Sequence, residues 1–134
     1  MTPVEKSALL VVRKIQNYIN EAIAKLPVGE ITTHLKSMAD SETRWLEALT
    51  TDAPLPEIMP EGTTSRLVFE RLALYANYVN SDAFKAMGKA GENTDAATKF
   101  KWIFELSNYQ FKWLDALRYN LPLPEDSIDA NKLP

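Results

Sequence analysis

The amino-acid sequence predicts an all-α protein, a four-helix bundle built from two tandem helical-hairpin repeats with a proline-rich connector and a C-terminal tail. Three observations lead there. Apolar residues recur at helical spacing in four long segments, and no alternating strand pattern competes with them. Prolines and glycines gather between those segments, where they stop helices. The stretch RWLEALTTDAPLPE, Arg44 to Glu57, returns as KWLDALRYNLPLPE, Lys112 to Glu125, with eight of fourteen residues identical. A shorter echo, NYIN at Asn17 to Asn20 against NYVN at Asn77 to Asn80, extends the repetition backwards. The offset is 60 residues at the first echo and 68 at the second, so the second copy is longer.

The first helix opens on Thr2, Pro3 and Glu5, the pattern of a capping box with proline at the first helical position. Its apolar arc holds Val4, Ala8, Val11, Val12, Ile15, Tyr18, Ile19, Ala22, Ile23 and Leu26, and Pro27 with Gly29 ends it. The second helix is expected from about Thr32 to Thr50, with a break near Asp40 and Ser41. Pro54, Pro56 and Pro60 then impose an extended connector from Thr51 to Thr63. A third helix is expected from about Ser65 to Met87, stopped by Gly88 and Gly91. Asp95 is the expected N-cap of the fourth, which runs to about Tyr119 before Pro122 and Pro124 repeat the proline exit. Repeat 1 thus covers about 1–62 and repeat 2 about 63–134 of one domain spanning 1–134.

The repeated Trp-Leu-acid-Ala-Leu reads as structural. Trp45 and Trp113 are expected to anchor one hairpin each, with Leu55 and Leu123 folded onto the bundle end, and the two hairpins are expected to superpose with these pairs in register. Nine residues, TPVEKSALL at Thr2 to Leu10, resemble the start of the first helix of haemoglobin β chains. A globin holds haem iron through a histidine in the second half of its chain; the one histidine here is His34, so no haem function is carried over.

Composition excludes several classes. At 134 residues and 46% hydrophobic the chain can bury one sizeable core. It has no cysteine and a single histidine, too few ligands for a structural zinc or for the paired Glu-x-x-His motifs of a di-iron bundle. No metal or other cofactor is expected. A net charge of -3 argues against nucleic acid as a partner, and nothing approaches a membrane span or a secretory leader. A cytoplasmic protein is the expectation. The acids concentrate between Ser37 and Glu70, seven against two arginines.

Catalytic patterns are missing: there is no phosphate-cradling glycine loop, nucleophile elbow or metalloprotease helix. His34 with Glu30, Asp40 or Glu42 would make a weak acid–base pair, and Glu57 with Glu125 is the carboxylate pair that the repeat supplies. The fourth helix is the more informative element. Its core arc is expected to be Trp102, Ile103, Leu106, Tyr109, Trp113, Leu114 and Leu117, which leaves Phe100, Phe104 and Phe111 as a second stripe flanked by Lys101 and Lys112. Gln110 falls on the apolar arc and needs partners there. The expected function is a small non-catalytic protein-interaction module of the inhibitor, immunity or adaptor kind, with that stripe meeting a protein partner or a second copy. The alternative is a bundle that holds a small apolar or aromatic ligand between its hairpins.

Overall fold

The computed structural model describes residues 1–56 and 64–124. Four helices make up the described chain: α1 (Pro3–Ala24), α2 (Glu30–Thr51), α3 (Ser65–Ala90) and α4 (Asp95–Tyr119). The α1 start is as expected, since the Thr2 hydroxyl accepts from the Glu5 amide at 3.1 Å and the Glu5 carboxylate accepts from the Thr2 amide at 3.1 Å. Helix α2 begins two residues earlier than expected. Thr32 accepts from the Gly29 amide at 2.9 Å, the reach-back half of a capping box, which glycine cannot return.

The expected break near Asp40 and Ser41 is absent, and α2 is continuous. Ser41 donates to the Ser37 carbonyl, Thr43 to that of Ala39 and Thr50 to that of Leu46, so these hydroxyls are satisfied one turn back within the helix. Helix α3 runs through Gly88, and of these two glycines it is Gly91 that has a positive φ, 83°, a backbone that favours glycine. At α4 the N-cap is Thr94, whose hydroxyl accepts from the Ala97 amide at 3.1 Å. Asp95 instead occupies the first turn, where its charge suits the helix dipole.

Helices α2 and α4 stop in the same way. Asp52 and Asn120 adopt left-handed backbone at φ 55° and 53°. The next amides, of Ala53 and Leu121, each bond the carbonyl five residues back, Ala48 and Ala116, at 2.9 Å. This is a Schellman motif at both sites, and the positions correspond at the 68-residue offset of the sequence repeat.

Partner residues establish the topology. Lys6 meets Asp52 and Arg13 meets Glu47, so α1 and α2 run antiparallel. The pairs His34–Asp82 and Trp45–Arg71 do the same for α2 and α3. Asn80–Phe104 and Arg66–Tyr119 set α3 against α4, and Lys25–Lys99 with Val12–Gln110 set α1 against α4. Each helix packs on two neighbours, and α1 faces α3, and α2 faces α4, across the diagonals of an up-down-up-down bundle. Helix α3 presents Ala73, Ala76, Ala83 and Ala86 to the interior, and these small side chains let α4 approach it closely. Leu9, Ile15, Ile19, Leu35, Trp45, Leu46, Phe69, Leu72, Ile103 and Leu114 fill the centre.

Candidate functional site

The buried face of α4 is rotated from its expected position. Phe100, expected outside the core arc, is only 7% exposed and belongs to the core, whereas Trp102, Tyr109 and Leu117 are half-buried at its margin. Close packing of α3 on α4 is the physical reason, because the alanine face of α3 draws the phenylalanine side of α4 inward. Phe104 and Phe111 are half-buried and packed against the core edge, while Lys101 and Lys112 face solvent.

Phe104 does not stand alone at that edge. The ring of Phe84 on α3 lies 5.8 Å from it, tilted by 44°, and the Asn80 amide donates to the Phe104 carbonyl at 2.8 Å. Phe84 itself is 63% exposed. Leu67, Leu74 and Tyr78 add further exposed apolar area on the solvent side of α3. Phe84 is apolar and lies within the third helix, where its side-chain type alone gives no reason to expect it in water. Its exposure was legible only as a position far from the Val68, Leu72, Ala76, Val79 and Ala83 line.

Trp45 and Trp113 are both buried, at 1% and 6% exposed. Leu55 and Leu123 are each half-buried against the core. Arg71 lies over the faces of Trp45 and Tyr75 at 5.9 and 6.0 Å. His34 pairs with none of the acids expected for it; its Nε2 stands 2.9 Å from an Asp82 carboxylate oxygen on α3, at the edge of a hollow of about 250 Å³ that Lys85 and Lys89 also line. Glu57 and Glu125 lie outside the described residues, as does the chain beyond Pro124.

A layer of polar side chains crosses the core. Gln16 donates to the Ala39 carbonyl at 2.9 Å, and the Gln110 amide donates to Gln16 Oε1 at 3.3 Å and to the Val12 carbonyl at 3.4 Å. Glu42 is completely buried beside them. Desolvation pushes its carboxyl up to about 8, with the Gln110 amide opposing that rise. Neither Glu42 oxygen, nor Gln110 Oε1, nor the Trp113 indole nitrogen completes a hydrogen bond. From the sequence Gln110 is expected on the apolar arc, whereas Glu42 is visible only as a neighbour of His34. Extending the repeat two residues backwards would have revealed it, since Glu42 aligns with Gln110 at the 68-residue offset.

A groove of about 680 Å³ runs along the outside of the α1–α2 hairpin, lined by Ile23, Leu26, Val28, Thr32 and Lys36 among others. Among the described residues no cluster of three metal-ligating side chains occurs, and no helix is long and apolar enough to cross a membrane. Comparison with family models, with curated proteins and with solved structures returns no match to this chain.

Proposed function

We propose that this chain is a small non-catalytic protein-interaction module whose contact surface is the aromatic ridge at the α3–α4 seam, made of Phe84, Phe104 and Phe111 and framed by Lys101 and Lys112. The observation that carries the reading is Phe84, mostly exposed and seated on Phe104. An aromatic ring in water forgoes burial worth about 2–3 kcal/mol, and aromatic residues are enriched in the cores of protein interfaces. Leu67, Leu74 and Tyr78 expose further apolar side chains elsewhere on the same helix. The partner is another protein or a second copy, and a cytoplasmic setting belongs to the same reading. Tandem duplication of a helical hairpin is part of it too, supported by the paired tryptophans and the matching left-handed caps at Asp52 and Asn120.

The alternative, a bundle holding a small apolar ligand, draws support from the groove lined by Ile23, Leu26 and Val28. That groove lies outside one hairpin, whereas the ligand reading placed the site between the two.

The test is a pair of variants, Phe84→Asp and Phe104→Asp, examined by circular dichroism and by sedimentation across a wide concentration range. A photo-crosslinking residue at position 84 would be used in parallel to trap a partner in extracts of the native host. Retained helicity with loss of self-association, or loss of a defined crosslinked product when Phe104 is also changed, supports the reading. A wild-type chain that stays monomeric and yields no defined product at position 84 rejects it.

A further inference from the structure

Glu42 and Gln110 occupy equivalent places in the two hairpins, each three residues before its tryptophan and each with no exposed surface. Helices α2 and α4 face each other across the bundle diagonal, so the two side chains meet near the axis. Their hydrogen-bonding inventory does not close if the carboxyl is ionised. The Gln110 amide nitrogen is directed to Gln16 Oε1 and the Val12 carbonyl, which leaves Gln110 Oε1 without a donor. An ionised carboxylate only adds acceptors to that layer, and a protonated carboxyl supplies the missing donor.

We propose that Glu42 is a proton-binding site: the folded bundle keeps its carboxyl protonated at neutral pH, the O–H donates to Gln110 Oε1 across the axis, and release of this proton in alkaline medium loosens the central layer. The groups facing it from each neighbouring element are neutral or engaged elsewhere. Helix α1 offers Gln16, and its Arg13 is paired with Glu47 at the surface. From α4 come Gln110 and Ser107, and the Ser107 hydroxyl donates to the Ile103 carbonyl at 2.6 Å. On α3 the Arg71 guanidinium lies over Trp45 and Tyr75. On α2 itself Asp40, Arg44 and Glu47 point to solvent. Desolvation accordingly dominates, and no charged group of the described residues enters the balance. An uncompensated ionised carboxylate in such a place is costly enough that the group neutralises instead.

The sign of the pH dependence follows. Below pH 4.5 the carboxyl is protonated in both folded and unfolded chains; between 4.5 and about 8 only the folded chain holds the proton. Its contribution to stability is therefore complete in acid and declines as pH rises through that window, the folding equilibrium constant falling about tenfold per pH unit. The experiment pairs carboxyl-¹³C NMR of glutamate-labelled protein with urea unfolding from pH 5 to 9, on wild type and on Glu42→Gln, which makes the two halves alike. One glutamate signal titrating in the neutral-to-alkaline range, absent from the variant, and a pH slope that the variant loses, are the expected results. If the variant does not fold, the wild-type signals decide alone. All glutamates titrating together in the ordinary acid range, or an unchanged slope in the variant, would overturn the proposal.

Discussion

Truncating the two repeated tryptophans tests the core directly, because they are equivalent in sequence and differ in surroundings. Trp45 and Trp113 are both buried, so either change to alanine should cost about 3–5 kcal/mol through lost contacts and a residual cavity. That is a large share of the roughly 5–15 kcal/mol that holds an ordinary domain folded. The phenylalanine variants should separate the pair. Trp113 buries an indole N–H with no acceptor, a defect worth about 1–3 kcal/mol, so Trp113→Phe removes part of the ring and the defect together. Trp45 instead carries the Arg71 guanidinium over its face, an attraction of about 0.5–1 kcal/mol that phenylalanine holds less well. Trp45→Phe should accordingly be the more destabilising by about 1–2 kcal/mol. Urea unfolding followed by far-ultraviolet circular dichroism is the assay, since the substituted residues are themselves the fluorophores. A Trp113→Ala midpoint equal to wild type would refute its role as an anchor. Trp113→Phe as damaging as Trp113→Ala would show that the indole N–H is bonded in solution.

Two further outcomes concern the helix ends. Asn120→Gly should stabilise the chain by up to about 1 kcal/mol by relieving left-handed backbone, and Asp52→Gly should gain less because it also removes the Lys6 partner 2.7 Å away; thermal melts of both variants provide the comparison. Thr2→Ala breaks the capping box of α1 and should cost about 1 kcal/mol, read from the same melts and from faster amide exchange in the first turn.

The fourth helix shows why the interaction surface was only partly legible. Periodicity identifies an apolar arc but not its centre when aromatic residues surround most of a helix, and the packing of α3 against α4 decided that Phe100 goes in while Phe84 stays out. No rule of spacing within α4 contains that information. The same limit explains His34: its partner, Asp82, is 48 positions away on another helix, and the nearer acids were the ones visible along the chain.

By itself the sequence determined the four helices, the capping box at Thr2 and where α2 and α4 stop ahead of their prolines, because each depends on neighbours within one or two turns. Only the tertiary structure decided that α2 continues unbroken past Ser41, that α3 and α4 pack most closely, and that Glu42 meets Gln110 at the axis. Those outcomes depend on helix rotation and on which surfaces lose water. Such quantities arise from the packing of distant segments, and one carboxyl among eighteen acidic residues acquires its unusual environment only when four helices close around it.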